Sequence, residues 1–175
     1  MSVNDLSVLD GIRVLDLSRS MPGALTAMVL ADYGADVLKI ESPDGDPSRK
    51  HPAWQLWNRG KRSVVVDLQN DTDRSACHEL LRGADVVIQS FRPGVAKRLG
   101  VGYEEVRRIQ PSIVYCSISG FGTHGPYSHL RGYEGIVDAK TGRMLEFAAV
   151  AEREGPGYVA VPSATTGAMH GALQG

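Results

Sequence analysis

The sequence has few of the features that mark a secreted, membrane-bound or redox protein. Cysteine occurs only twice, at Cys77 and Cys116, and the two lie too far apart for a Cys-x-x-Cys motif. The first residues lack the basic and apolar regions of a secretory signal. No apolar run approaches the roughly 20 residues that span a bilayer. We therefore expect a soluble protein of the cytoplasm, with no membrane partner.

An excess of charge of one sign is also missing. The 19 Lys and Arg residues against 20 Asp and Glu residues give a net charge of -1. The chain as a whole is therefore a poor partner for nucleic acid. Two basic clusters, Arg59-Lys61-Arg62 and Lys97-Arg98, remain candidates for holding one small phosphorylated ligand. The five histidines lack metal-ligand spacing, so we expect no metal site.

What is present is a globular composition, 42% hydrophobic and 22% charged over 175 residues, with alternating strand and helix patterns. Strands are predicted at 12–17, 36–40, 63–68, 85–89 and 113–119, and helices at 24–33, 71–82, 93–99, 103–109 and 133–147. Asn70 and Gly83 are predicted to cap and stop the second helix. This order predicts an α/β, Rossmann-like, mostly parallel open sheet with helices on both faces, and with ligands at the carboxyl ends of its strands.

Two segments fall outside this alternation. Residues 42–62 are rich in Pro and Gly and form a loop too long for a simple connector, so we expect it to cover something. Residues 165–175 begin a helix that halts without a following strand or linker. We therefore expect residues 1–175 to be the amino-terminal part of a single α/β domain that is truncated at its carboxyl end.

A glycine-rich loop at residues 120–127 follows the last predicted strand and nominates a site, because glycines let backbone amides approach a ligand closely. The spacing Gly120-x-Gly122-x-x-Gly125 matches the dinucleotide fingerprint. The fingerprint requires a helix that opens directly from the glycines, and no apolar periodicity begins before Tyr133. No acidic residue ends a second strand about 20 residues further on. An oxidoreductase that uses a nicotinamide or flavin is therefore the least favoured hypothesis.

Four ordered segments resemble class III CoA transferases, and the similarity runs from about residue 9 to residue 175. They are Val-Leu-Asp-Leu at 14–17, Gly-Ala-Asp-Val-Leu-Lys-Ile-Glu at 34–41, Asn-Arg-Gly-Lys-Arg-Ser at 58–63, and residues 119–127. The family includes formyl-CoA and carnitine CoA transferases and the 2-methylacyl-CoA racemases. The resemblance implies a protein that moves CoA between an acyl-CoA and a carboxylic acid, with acyl-CoA as substrate and no permanently bound cofactor. Known members are longer and form interlocked homodimers, so the chain resembles their amino-terminal half.

The resemblance also implies a CoA-binding set at the strand ends. It consists of Arg19 after the first strand, Phe91 beside the nucleotide, Arg92 in the strand-end turn, Arg98 as a basic partner, and Gly120 and Gly122 in the loop. Such a set would offer charge-assisted bonds to phosphates and an apolar clamp for adenine. The alternatives stay open: each cation can be an ordinary surface residue, and Phe91 can simply pack in the core.

The family's nucleophile is missing from the matching position. In the family an aspartate attacks the thioester, and counting without gaps from the tyrosine–acid pair Tyr133-Glu134 places Ser163 there. An acyl-aspartate is an activated anhydride that a thiolate can reopen, whereas an acyl-serine is a less reactive oxygen ester. Tyr133 resembles the transferase branch, since the racemases carry histidine at this position. Glu134 matches the family's acid, with a first-turn residue favoured by the helix dipole as the alternative.

Two hypotheses follow from these residues. In the first, the protein is a CoA transferase whose chemistry is carried elsewhere, for example by a second, intact copy in the full-length protein. In the second, it is a non-catalytic pseudoenzyme half that binds CoA or only forms a dimer. Asp138 lies four residues after Glu134 on the same helix face, a spacing that is more typical of a solvated acidic stripe than of an acid–base pair.

Overall fold

Five parallel strands form one open sheet in the computed structural model, which describes residues 7–19 and 21–142. The strands are β1 (Arg13–Asp16), β2 (Asp36–Glu41), β3 (Arg62–Val65), β4 (Val86–Gln89) and β5 (Val114–Ser117). Their order across the sheet is β3-β2-β1-β4-β5, and every neighbouring pair is parallel. The winding direction reverses between β1 and β4, which creates a topological switch point there.

Helices connect these strands. Within the described ranges they are α1 (Met21–Asp32), α2 (Trp54–Trp57), α3 (Asp71–Arg82), α4 (Val95–Arg98), α5 (Tyr103–Ile109) and α6 (Glu134–Thr141). The Asn70 side chain accepts hydrogen bonds from the amides of Thr72 and Asp73, and Gly83 follows the last residue of α3. Both predicted ends of this helix are confirmed. None of the helices in these ranges is long and apolar enough to cross a membrane.

The two faces of the sheet carry separate hydrophobic clusters. On one face Leu15 belongs to a cluster that includes Leu81 of α3, and on the other Val14 belongs to a cluster that includes Ala27 of α1. Successive strand residues point to opposite faces, so two adjacent buried residues in β1 require cover on both sides. The predicted α/β architecture with helices on both faces is confirmed.

Several predicted boundaries are corrected. Helix α1 begins at Met21 rather than at residue 24, because Pro22 is well suited to the first turn of a helix. The predicted strands 63–68 and 113–119 are shorter, because β3 and β5 end where their inner neighbours end, in the pairs Glu41↔Val65 and Gln89↔Ser117. The helix predicted at 133–147 is Glu134–Thr141, and left-handed Gly142 ends it, with a φ of 79°. Residues 143–147 lie outside the described residues.

Candidate functional site

The carboxyl ends of β1 and β4 meet at the switch point and bring Arg19 and Phe91 together. The amide of Arg19 donates to Ser90 Oγ over 3.0 Å, which joins the turn after β1 to the turn after β4. The Arg19 guanidinium carbon lies 5.7 Å from the centre of the Phe91 ring, within the range of a cation–π contact. Arg19 is exposed. A guanidinium beside an aromatic ring, at the switch point of an α/β sheet, is suited to a phosphate and an attached base.

Phe91 is half-buried and has two roles in the fold. One part of its ring packs against the core cluster that contains Ala96 of α4. The ring also lies beside the Arg19 guanidinium. Phe91 therefore packs in the core, as the alternative expected, and at the same time keeps its contact with Arg19 at the switch point.

A buried glutamine fixes the main chain that carries Phe91. Gln89 is the last residue of β4 and is 6% exposed. Its Oε1 accepts a hydrogen bond from the Phe91 amide over 2.7 Å, and its Nε2 donates to Ser117 Oγ over 2.6 Å. The side chain thus ties the turn after β4 to the end of β5. The sequence analysis missed Gln89; the available signal was a polar side chain at the end of an apolar strand.

Arg92 and Arg98 continue the cationic surface beyond Phe91. Arg92 lies in the turn before α4 and Arg98 in the last turn of that helix. Both are exposed. Among the ion pairs formed within the described ranges, neither arginine takes part. Their positive charges therefore remain available to an anion.

The glycine-rich loop is pinched at its base by two glycines in direct contact. A Cβ placed on Gly120 would lie 2.3 Å from the Cα of Gly132, so no side chain fits there. Gly122 has a left-handed φ of 75°, which also favours glycine. The residues between this pair form a compact surface loop with touching ends. No helix opens from Gly125, since α6 begins only at Glu134, and the disfavoured dinucleotide geometry is absent from this loop.

Aromatic contacts pack this loop against α6. The rings of Phe121 and Tyr127 meet edge to face, with their centres 6.0 Å apart. The Lys140 ammonium of α6 lies 4.5 Å from the centre of the Tyr127 ring. The loop that carries Gly120 and Gly122 is therefore fastened to the helix that begins at Glu134.

Tyr133 and Glu134 lie where the loop joins α6. Tyr133 is the residue before the helix and is 61% exposed, and the Arg131 guanidinium carbon lies 6.0 Å from its ring centre. Glu134 is the first residue of α6. Ser163 lies outside the described residues, so its relation to this pair stays a prediction. Asp138 is buried, 3% exposed, so the expectation that it belongs to a solvated acidic stripe is wrong.

The opposite side of β1 holds a buried network of charges that the sequence analysis missed. Asp16 Oδ2 lies 2.9 Å from Lys61 Nζ and 3.9 Å from Lys39 Nζ. Lys39 Nζ also contacts Asp46 Oδ2 at 3.2 Å and donates to the Ser18 carbonyl over 2.9 Å. The Asp16, Lys39 and Lys61 side chains are each at most 2% exposed. Through Asp46 and Lys61, the network joins residues 42–61 to Lys39 of β2 and Asp16 of β1.

The electrostatics of this network follow from burial. Burial lowers the pKa of Lys61 below its ordinary 10.5, although the Asp16 carboxylate opposes that shift. Burial alone would raise the pKa of Asp46, but the Ser48 amide and the Lys39 ammonium outweigh it, and the pKa lies below the ordinary 3.8. Burial therefore prevails at Lys61, whereas the hydrogen bond and the neighbouring ammonium prevail at Asp46.

A second ion pair, between Arg49 and Glu41, holds the segment 42–62 that was predicted as a covering loop. The segment contains a 3-10 turn at Pro47–Lys50 followed by α2. Arg49 forms two hydrogen bonds to the buried Glu41 carboxylate, at 2.9 and 2.7 Å, and its guanidinium carbon lies 4.2 Å from the Trp54 ring centre. The segment packs over the ends of β1 and β2 through these contacts.

The basic cluster Arg59-Lys61-Arg62, a sequence-based candidate for a phosphorylated ligand, is engaged elsewhere. Lys61 is buried against Asp16, Arg59 pairs with Asp32, and Arg62 pairs with Asp36. Lys61 is thus committed to the fold and the two arginines each face a carboxylate, so the cluster does not present three unpaired cations to a phosphorylated ligand as expected. Within the described ranges, no group of three or more His, Cys, Asp or Glu side chains is arranged to hold a metal ion.

Comparison with known proteins gives a consistent result. The sequence model of CoA-transferase family III matches residues 9–173. The acetyl-CoA:oxalate CoA-transferase of Acetobacter aceti is 41% identical over 145 residues, which cover 78% of this chain and 37% of that protein. The human succinyl-CoA:glutarate CoA-transferase is 34% identical over 152 residues, covering 81% and 35%. The chain spans well under half the length of these relatives.

A solved structure extends the similarity to the fold. The crystal structure of Rv3272 from M. tuberculosis matches with a TM-score of 0.83 at 32% identity, covering 96% of this chain and 47% of that one. A CAIB/BAIF family protein from Brucella suis matches with a TM-score of 0.80 at 30% identity, with coverages of 96% and 48%. The sheet described above is thus shared with longer chains of this type.

Proposed function

The chain belongs to CoA-transferase family III, and from that premise we propose that it is the CoA-binding, amino-terminal part of a protein that moves CoA between an acyl-CoA and a carboxylic acid. The contact between Arg19 and Phe91 at the switch point carries this proposal. A guanidinium can pair with a phosphate of CoA, and the ring beside it can take the adenine.

The remaining candidates extend this site along the strand ends. Arg92 and Arg98 are exposed cations on the chain that follows Phe91, where they would meet the other phosphates of CoA. Gly120 and Gly122 would let the loop backbone approach the acyl end of the ligand. The sheet places the loop after β5 on the same edge as Phe91, since β4 and β5 are parallel neighbours.

The chemistry is proposed for the far end of this site. Tyr133 and Glu134 would lie beside the thioester, and Ser163 stands where the family nucleophile is an aspartate. We propose that the whole protein has acyl-CoA and a carboxylic acid as substrates, forms an interlocked homodimer when the rest of its fold is present, and works in the cytoplasm.

A non-catalytic CoA-binding protein is the second candidate, and the serine at position 163 is the observation that favours it. A serine hydroxyl needs an adjacent base, and its acyl ester lies downhill of a thioester, so CoA would not be readily recharged from it. Intact-mass spectrometry after incubation with acetyl-CoA separates the two candidates. A covalent acetyl adduct at Ser163 that CoA reverses would favour catalysis, and its absence would favour a binding role.

Calorimetric titration of CoA into the chain tests the binding proposal. Arg19→Met should weaken CoA binding by about tenfold or more, because a hydrogen bond to a charged group contributes about 1.5–3 kcal/mol. Arg108→Met is the matched control, since Arg108 is an exposed cation of α5. Saturable CoA binding that Arg19→Met leaves unchanged would contradict the assignment of the site. Failure of the unmodified chain to bind CoA would contradict the proposed function itself.

A further inference from the structure

Gln89 holds the strand end that carries Phe91. Its side chain forms two hydrogen bonds: Oε1 accepts from the Phe91 amide over 2.7 Å, and Nε2 donates to Ser117 Oγ over 2.6 Å. Both bonds are largely shielded from water, because the residue is only 6% exposed. We propose that Gln89 is a positioning residue for the CoA site, which sets the place of Phe91 and Arg19 against the nucleotide. This inference rests on the function proposed above.

A continuous series of contacts links Gln89 to the ligand surface. Ser90 lies between Gln89 and Phe91, so the bond that fixes the Phe91 amide also fixes the main chain at Ser90. Ser90 Oγ in turn accepts the hydrogen bond from the Arg19 amide, at 3.0 Å. One buried side chain thus governs the position of Phe91 directly and that of Arg19 through Ser90.

The chemistry of an amide side chain suits this role. It supplies an acceptor for the Phe91 amide and a donor for the Ser117 hydroxyl at once. An apolar side chain of similar size would fill the space and leave the Phe91 amide without this partner. Gln89 therefore sets the geometry of the turn in addition to filling space beneath it.

A second glutamine provides a matched comparison at the opposite edge of the sheet. Gln110 precedes β5, and its Nε2 donates to the carbonyls of Arg82 and Ala84, each over 3.2 Å, while its Oε1 accepts from Ser112 Oγ over 3.1 Å. Its side chain is bonded at both ends, as that of Gln89 is, but its partners lie at the amino edge. Replacing Gln110 therefore measures what the loss of a hydrogen-bonded structural glutamine does when the contacts of Phe91 are left unchanged.

The test uses Gln89→Leu, Gln89→Glu and Gln110→Leu in the full 175-residue chain. Two quantities are measured: the CoA dissociation constant by calorimetry, and the exchange rate of the Phe91 amide by NMR without CoA. Gln89→Leu should raise the dissociation constant about tenfold and speed exchange at Phe91 about tenfold. Gln89→Glu keeps an acceptor for that amide, so exchange at Phe91 should stay within about threefold of the original chain. Gln110→Leu should change neither quantity.

The inference is overturned if Gln89→Leu leaves CoA affinity unchanged, or if Gln110→Leu weakens binding equally. If the original chain does not bind CoA, the proposed function fails, and exchange at Phe91 alone decides whether Gln89 holds this turn. If Gln89→Leu does not fold, Ser117→Ala replaces it, because Ser117 is exposed and its loss removes only the partner of Nε2. About threefold weaker binding is then expected, and no change would overturn the inference.

Discussion

The two sides of β1 use polar side chains in opposite ways. On the β2 side, Asp16, Lys39 and Lys61 are buried and paired with one another. On the β4 side, Arg19 is exposed and lies beside Phe91, and the bonds that hold this turn are neutral ones. A buried pair is committed to the fold, because removal of one partner leaves the other charge desolvated. An exposed cation remains free to meet a ligand.

The charges are buried on one side of β1 and exposed on the other because a chain segment packs over only one of the two sides. Residues 42–61 fold over the ends of β1 and β2 and contribute both Asp46 and Lys61 to the network. In the part of the chain that the structure describes, no comparable segment covers Arg19. The same type of residue therefore stabilises a loop on one side and is available for binding on the other. Residue type alone does not separate the two uses.

The largest expected effect comes from disrupting the buried ion pairs on the β2 side of β1. Asp16→Ala removes the carboxylate shared by Lys39 and Lys61 and should lower the free energy of unfolding by about 3–5 kcal/mol. Urea denaturation followed by circular dichroism measures this loss. The control is Asp36→Ala, which removes the partner of Arg62 from an exposed ion pair and should cost at most about 1 kcal/mol.

Equal losses for Asp16→Ala and Asp36→Ala would contradict the distinction between buried and exposed pairs. If Asp16→Ala does not fold, Lys61→Met provides the second measurement, because it removes one buried cation and leaves Asp16 with Lys39. A loss no larger than that of Asp36→Ala would again count against the network.

A smaller effect is expected from disrupting the contact between Gly120 and Gly132, on the β4 side of β1. Gly120→Ala places a methyl group 2.3 Å from the Cα of Gly132, and the backbone must shift to admit it. Overpacking of this kind costs about 1–3 kcal/mol, and we expect it to loosen the loop between the two glycines. Limited proteolysis of that loop, together with thermal denaturation, measures the change.

Gly122→Ala is the comparison for Gly120→Ala. Gly122 has a left-handed φ of 75° but open space beside it, since a Cβ added there would lie 4.0 Å from the His124 carbonyl oxygen, an ordinary van der Waals distance. Its replacement tests backbone conformation without a clash and should cost about 1 kcal/mol. Faster cleavage in Gly122→Ala than in Gly120→Ala would show that the contact between the glycines does not hold the loop closed.

The sequence predicted the architecture because hydrophobic periodicity and helix signals are local. Asn70 as the cap of α3 is an example, since its partners lie two and three residues away. The proximity of Arg19 and Phe91 was also accessible, because each follows a strand and parallel strands end at one edge. The pairing of Lys61 with Asp16 was not, since 45 residues separate them and no local pattern encodes such a partner.

The same limit applies to Gln89 and Asp138. Whether a polar side chain at a strand end or on a helix is buried depends on what packs over it, and this follows from tertiary structure. The burial of Asp138 and the two hydrogen bonds of Gln89 emerge only when α6, β4 and β5 are assembled.

The smallest expected effect is a change with pH in how much Asp46 of the buried network stabilises the fold. The folded-state pKa of Asp46 lies below its ordinary 3.8, so its contribution to stability is present above that pH and is lost as the pH falls through the folded-state pKa. Asp46→Asn lacks this titration, and its difference in unfolding free energy from the original chain should narrow between pH 7 and pH values below 3.8. Urea denaturation across this range measures it. Asp44→Asn, an exposed change two residues before Asp46, is the control, and a constant difference for Asp46→Asn would mean that the ionised carboxylate, with its Ser48 and Lys39 partners, does not stabilise the fold.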